Sequence, residues 1–474
     1  MVTFFMYLIS ALSVGLIVFM LIRKMDIKIT MIAAGLLLII AAIALGRVEI
    51  KKPVDILVPF AVIVEQFKIS LPGAGLIILM LGGYAAYMSA IGANEVTVNS
   101  LTKPLKGIKS PYIMVPFVFL IGSLLSMVIP SASILAIILL STLYPLLKKS
   151  GMGTLTAAGV IATTATVMPT PLGSDNVAVA QELGISAADY VFRYHAVVSV
   201  PTLLFMAVVH YFWQKHCDRK DQRLTAANPE AAVREESVEL AETKKIEGGP
   251  LFRIVYTILP LFPVILLLGV FIGNFVLPRE AQISLSVELA TLLSLTIAIF
   301  CELIRHKNGK KVLDDTGHFF KGMGNALDIV ILLIAAGVFV AGLTKIGVIA
   351  HLQSTMQHAE APGFILPLIL VILSALIVLL SGSGTSLFFA MVPLMVPLAG
   401  AAGISVLAVS VPMGLAGNLL RAVSPVSAVV IIVAGSTKMS PMNIVRRTSA
   451  PMIAGTILMF VLSMVLFLPG ILSL

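Results

Sequence analysis

Charge is scarce in this sequence: only 12% of its 474 residues are Asp, Glu, Lys or Arg, about half the share of an ordinary soluble domain. Cysteine is scarcer still. Cys217, in a charged stretch, and Cys301, in an apolar one, provide neither a disulfide framework nor a metal-binding spacing. The seven histidines are scattered singly, and HExxH, Walker A and a Rossmann glycine pattern behind a strand are all missing. These absences count against metalloprotease, nucleotide-binding and dinucleotide-binding chemistry, so neither an enzyme nor a cofactor is expected.

Apolar residues fill the space instead, at 59% of the chain with a mean hydropathy of +1.06. A helix needs about 20 consecutive apolar residues to cross a bilayer core. Charge-free runs cover 1–22, 69–94, 110–147, 150–174, 254–278, 361–420 and 448–474. In the first run no basic residue precedes the apolar stretch, and Arg23, Lys24 and Lys28 follow it. That order predicts a first transmembrane helix rather than a secretory signal.

The net charge of +9 does not call for nucleic acid, because the basic residues sit in short patches beside apolar segments, as cytoplasmic loops of membrane proteins do. The longest polar stretch, 214–250, holds seven Lys/Arg and eight Asp/Glu. It is expected to be a cytoplasmic linker between a first repeat, 1–213, and a second, 251–474, which puts Cys217 inside.

The two halves are alike. Ile91-Gly92 aligns with Ile346-Gly347 at a spacing of 255, bringing Tyr84 onto Phe339. At 252, Ser131 meets Ser383, Ser133 meets Thr385 and Pro145 meets Pro397; at 254, Thr170-Pro171 meets Ser424-Pro425 and Ser186 meets Ser440. Internally repeated halves with broken helices are a common plan of secondary transporters.

Segments 110–148 and 362–399 are too long for one span and too polar at the centre to face lipid. Each reads as a re-entrant hairpin, with tips near Pro130 to Ser133 and near Gly382 to Thr385 buried in protein. The fold class expected is all-α integral membrane: two inverted repeats, about ten transmembrane helices and two opposed re-entrant hairpins with broken helices. With the N-terminus outside, 24 Lys/Arg fall on the cytoplasmic side, seven outside and only Arg421 in the membrane. Residues 53–68, with Asp55, Glu65 and Lys68, suit an amphipathic interface helix, and 316–328 look like its counterpart.

Four places carry candidate chemistry. Ser131 and Ser133 in the first tip, and Ser383, Gly384 and Thr385 in the second, stand where a returning helix begins, and the hydroxyls suit N-capping. Such N-termini attract anions, so two of them suit a solute with a carboxylate at each end. Arg421 follows sixty uncharged positions, 361–420. An arginine placed there needs a partner, and its planar fork fits a carboxylate. Asp175 ends the uncharged run 150–174; it suits pairing with Arg421, a coupling proton, or a sodium ion held with Thr170, Ser174 and Asn176. An intramembrane serine protease at SGSGTS (381–386) would need a base beside its nucleophile, and no histidine sits at a partner position. A channel would need a continuous polar lining, whereas polarity here is concentrated at tips and breaks. A carrier is therefore favoured, for a dicarboxylate or for another organic anion such as a short-chain fatty acid or an amino-acid conjugate.

The stretches GGYAAYMSAIGANEVTVNSLTKPLKGIKSPY (82–112), SGSG (381–384) and GNLLRAVSPVSAVVIIVAGSTKMSPMNIVRRTSAP (417–451) resemble the DcuC family of anaerobic C4-dicarboxylate carriers. That family lies within a larger ion-transporter group that includes sodium-coupled dicarboxylate transporters. The likeness covers most of the chain outside 214–250. Gly417, Asn418, Arg421, Ser424 and Pro425 look like the family's second broken-helix pattern, which implies that Asn418 and Ser424 join Arg421 in binding substrate. The resemblance also implies uptake, exchange or efflux of succinate, fumarate and malate across a bacterial inner membrane, coupled to H+ or Na+. A lipid-embedded homodimer with elevator-like movement is implied as well. Pro130 in the first tip, and Thr385 where the resemblance leads one to expect Asn, depart from the pattern.

Overall fold

The computed structural model describes residues 2–48, 56–108, 110–129, 131–167, 169–227, 249–356 and 363–474. Pro130, residues 53–55 of the expected interface helix and residues 228–248 of the polar stretch lie outside them. Every regular element among the described residues is helical. The first half runs α1 (Val2–Ile22), α2 (Lys28–Ala44), α3 (Val58–Ser70), α4 (Leu76–Ala90), α5 (Ala93–Leu101), α6 (Pro111–Ser126), α7 (Ala132–Thr142), α8 (Tyr144–Lys149), α9 (Thr154–Thr163), α10 (Ser174–Glu182), the single turn α11 (Ala187–Asp189) and α12 (Ala196–Ala227). The second runs α13 (Pro250–Ile258), α14 (Phe262–Val276), α15 (Val287–His306), α16 (Gly309–Asp315), α17 (Gly317–Ile346), α18 (Val348–Met356), α19 (Ile365–Ser381), α20 (Gly384–Ala402), α21 (Val406–Arg421), α22 (Ala428–Thr437) and α23 (Pro441–Phe467). Among the described residues eight helical stretches are long and apolar enough to cross a membrane, and seven shorter apolar helices accompany them. The chain is an all-helical, multi-pass membrane protein.

Each expected hairpin is a helix, a short break and a second helix: α6 and α7 around Met127 to Ser131, α19 and α20 around Gly382 and Ser383. Two further breaks separate α9 from α10 and α21 from α22. Local chemistry recurs at the aligned positions. Gly92 and Gly347 both adopt positive φ, 76° and 92°, ending α4 and α17 where a side chain would be strained. Ser186 and Ser440 each accept a backbone N–H three residues on.

Two packing groups emerge. In one, α17 lies along α2 and α4, α15 packs on α4, and α13 on α5. A Cβ on Gly35 would stand 2.7 Å from the Val338 carbonyl oxygen, and one on Gly342 2.8 Å from that of Gly35, so α2 and α17 meet backbone to backbone, as small residues permit in membranes. In the other, α12 packs on α23 and α6, α21 on α19, α20 and α23, and α7 on α22. The groups touch where α20 meets α17 and α10 meets α4.

Two expectations change. Residues 316–328 do not form a separate interface helix: from Gly317 they run straight into α17, and a Cβ on Gly322 would lie 2.5 Å from the Gly82 carbonyl oxygen, so that packing on α4 holds them. Nor is the polar stretch a linker from residue 214, because α12 continues to Ala227. Its two acids among the described residues, Asp218 and Asp221, have partners. Buried Arg447 on α23 pairs with Asp218 and Asp221, both at 2.6 Å, and donates to Thr156 on α9 at 2.9 Å, while Arg446 also pairs with Asp221. Cys217 is thus packed in a helix and 3% exposed, which makes it a poor probe of sidedness. Lys220, one turn on and exposed, is the better position. In a Cys217→Ser background, Lys220→Cys is expected to resist an impermeant thiol reagent applied to intact cells and to react once the membrane is opened. Labelling before opening would reverse the assigned orientation.

Candidate functional site

A cavity of about 450 Å³ lies where the four breaks converge. Its lining includes the first residues of four helices: Ala132 of α7, Ser174 of α10, Gly384 of α20 and Ala428 of α22. The first four N–H groups of a helix have no partner inside it, so four sets of donors are brought to one place. The sequence singled out two of these N-termini. Those of α10 and α22 were legible only in the cap residues Gly173 and Ser427, the latter accepting from Val430 N at 3.4 Å.

The tips differ in detail. Ser131 caps α7 as expected, accepting from Ile134 N at 3.4 Å, whereas Ser133 lies inside that helix. At the second tip Gly382 turns with φ 75°. Ser383 occupies the cap position of α20 without a side-chain cap bond, and the Ser383 N–H is held by Ser381 Oγ at 3.1 Å. Its hydroxyl faces that of Ser386 at 3.5 Å. Thr385 also lies inside its helix and is exposed at the cavity. Capping therefore explains Ser131 alone; Ser133, Ser383 and Thr385 keep their hydroxyls at the cavity wall.

Gly384 and Gly417 let α20 and α21 touch, a Cβ on Gly384 falling 2.4 Å from the Gly417 carbonyl oxygen. This brings Asn418 and Arg421, one turn apart on α21, to the cavity beside the second tip. Asn418 Nδ2 donates to Asp175 Oδ2 at 3.0 Å, and Asp175 Oδ1 accepts from Asn176 N at 2.9 Å. Arg421 Nη2 donates to the Ala165 carbonyl in the opposite break, and its buried Nε has no hydrogen-bond partner among the described residues. Among the described residues no ion pair joins Arg421 to Asp175; Asn418 stands as the neutral link between α21 and the carboxylate. At the spacing of 254, Arg421 falls opposite Val167 and Asp175 opposite Val429.

Of the residues picked from sequence, Ser131, Ser133, Ser174, Asp175, Ser383, Gly384, Thr385, Asn418 and Arg421 line this cavity. Ser424, Thr170 and Asn176 do not. Ser424 is fully buried and donates to the Leu379 carbonyl at 2.9 Å. Asn176 Nδ2 donates to the Thr170 carbonyl at 2.9 Å, and Thr170 Oγ1 accepts from Leu172 N at 3.2 Å. These three tie the broken segments together. Sequence reading missed the opposite wall, where Leu81 and Tyr84 of α4, Ile329 of α17 and Phe388 of α20 supply apolar surface.

Ser424→Ala should therefore lower stability by about 1 kcal/mol, the usual worth of one internal hydrogen bond, and leave ligand affinity nearly unchanged. Ser383→Val and Thr385→Val should do the reverse. Thermal unfolding and ligand binding on the same purified variants separate the two; loss of affinity in Ser424→Ala alone would contradict the assignment.

The family described as DcuC, C4-dicarboxylate anaerobic carrier, matches residues 6–468. The anaerobic C4-dicarboxylate transporter DcuC of Escherichia coli strain K12 is 34% identical over 413 residues, 86% of this chain and 85% of that protein. The probable anaerobic C4-dicarboxylate transporter DcuC of Vibrio cholerae serotype O1 is 36% identical over 397 residues, 83% of this chain and 82% of that protein. Among solved structures, the Alcanivorax borkumensis YdaH transporter superposes with a TM-score of 0.63 at 16% identity, covering 93% of this chain and 98% of its own. Neisseria gonorrhoeae MtrF, described with a class of antimetabolite efflux pumps, gives 0.58 at 16% identity, covering 95% and 97%; at this identity the likeness is one of fold. With a family match over nearly the whole chain and relatives named as transporters rather than enzymes, this protein belongs to the DcuC family.

Proposed function

We propose that the protein is a secondary carrier of C4-dicarboxylates such as succinate, fumarate and malate, which it moves by uptake, efflux or exchange. The observation that carries this reading is the convergence of four helix N-termini and one guanidinium on a single cavity. Each N-terminus is equivalent to roughly +0.5 elementary charge, so four of them with Arg421, less Asp175, leave about +2 facing a dianion. The names of the relatives point to the same solutes. A monocarboxylate would leave half of that field uncompensated, which favours the dicarboxylate over a short-chain fatty acid.

Movement fits an elevator-like step. The polar parts of the site lie on α7, α10, α20, α21 and α22, whereas α4 and α17 of the other packing group offer it mainly apolar surface. A group that carries its own charge cradle past a smooth wall exposes few polar contacts as it slides. The aligned glycines and serine caps of the two halves, with the bias of Lys/Arg toward one side, support inverted repeats with the N-terminus outside the bacterial inner membrane. A homodimer belongs to the same reading.

Asp175 is the coupling residue in this scheme. While Asp175 is ionised it cancels the charge of Arg421 and leaves the substrate only the helix ends; a proton or a sodium ion that enters with the substrate neutralises Asp175 and frees the guanidinium for a substrate carboxylate, in a medium where unpaired charge is costly. Asp175→Asn imitates the protonated state. It should keep exchange and lose gradient-driven accumulation if protons couple, and lose both if sodium does; intact concentrative transport would remove Asp175 from coupling. In liposomes, Arg421→Lys should raise the apparent KM for succinate roughly tenfold or more, since the charge stays while the bidentate fork is lost. Normal transport by Arg421→Lys would leave the arginine only its bond to Ala165.

A further inference from the structure

We propose that a groove between α5 and α13, remote from the central cavity, binds the headgroup of an anionic phospholipid. The groove has a volume of about 620 Å³ and is lined by Ser100, Lys103, Pro250, Arg253, Ile254, Thr257 and Ile258. No acid lines it, and Lys103 and Arg253 are both exposed. Several other cations of this protein have carboxylates beside them: Arg305 pairs with Glu302, Arg446 and Arg447 with Asp221 and Asp218, Lys28 with Asp26 and Asp328. Among the described residues, Lys103 and Arg253 take part in no ion pair. Two cations on facing walls with no counter-charge suit a phosphate.

The walls are preformed. Thr97 Oγ1 of α5 lies 3.2 and 3.1 Å from the carbonyl oxygens of Tyr256 and Thr257, and the hydroxyls of Thr257 and Ser100 meet at 2.8 Å. Because Thr257 also lies 2.6 Å from the Arg253 carbonyl, which takes its single proton, Ser100 is left with a proton to give to Thr257 or to a phosphate oxygen in the groove.

The surroundings decide between a lipid and a soluble anion. Leu251, Ile254 and Ile258 are 75%, 59% and 41% exposed and lie on one face of α13 at spacings of three and four residues. The stripe continues into exposed Ile265, Leu268 and Ile272 of α14, a lipid-facing helix. An acyl chain has a path along this stripe while its phosphate sits between Lys103 and Arg253, the arrangement in which basic pockets beside membrane helices recognise lipid headgroups. The position gives the lipid leverage. α5 follows the Gly92 turn, packs on α7 and leads through Lys103–Gly107 to α6, so a lipid holding α5 to α13 acts on the joint through which the first hairpin is attached.

The test uses the full-length protein in detergent. Phosphatidylglycerol added to the micelles should raise Tm by several degrees, and phosphatidylcholine should not. Lys103→Gln/Arg253→Gln should abolish the shift, each single exchange should lose part of it, and Lys106→Gln, outside the groove, should keep it. All of these positions are exposed, so folding is not at stake. Inorganic phosphate at millimolar concentration should leave Tm unchanged. An undiminished shift in the double variant, an equal shift with phosphatidylcholine, or a full shift with inorganic phosphate would each overturn the proposal. Binding is read without transport, so the result stands apart from the identity of the carried solute.

Discussion

A backbone that stops being helical inside a membrane must find partners for its amides and carbonyls, because the lipid core offers none. This chain breaks its helices four times near its centre, and much of the architecture follows from that. Some of the freed groups are met by neighbouring side chains: the Ala165 carbonyl by Arg421, that of Leu379 by Ser424, that of Thr170 by Asn176. The first residues of α7, α10, α20 and α22 line a shared cavity. The solution to a solvation problem thereby also assembles donors of the kind that suit an anion.

Rigidity around the site comes from close packing and from one buried charge cluster. Glycines let α2 meet α17 and α20 meet α21 at backbone distance, which fixes the helices without long side chains that rearrange. At one end, Arg447 gathers Asp218, Asp221 and Thr156 from α12 and α9. A charge buried this deeply needs such partners, and they tie three helices of one packing group together.

Much of this plan was legible in the sequence because charge is so rare in it. Arg421 and Asp175 stand out against long uncharged runs, and the small polar residues at both tips stand out against Leu, Ile and Val. What could not be read was which polar residues face the cavity. Ser424 and Thr385 look equally suited as binders in sequence, yet Ser424, in the break between α21 and α22, is closed on a carbonyl while Thr385, on α20, is open to the site, a difference set by tertiary packing. The length of α12 was misread because the charged residues in 214–227 looked solvated, while the partners of Asp218 and Asp221 lie more than 200 residues away on α23. The apolar wall on α4 and α17 was hidden for the opposite reason: its residues resemble any other membrane-spanning stretch.

The cavity is built from parts that recur in both halves, but its two charges do not recur: Val167 stands opposite Arg421, and Val429 opposite Asp175. In the dicarboxylate carrier proposed above, the two ends of a bound solute would thus meet unlike surroundings, one a cation and the other helix-end amides and hydroxyls. A site of this kind is handed. It can tell one end of an unsymmetrical diacid from the other and one mirror image of a hydroxy-diacid from its twin, while a symmetrical diacid enters either way round.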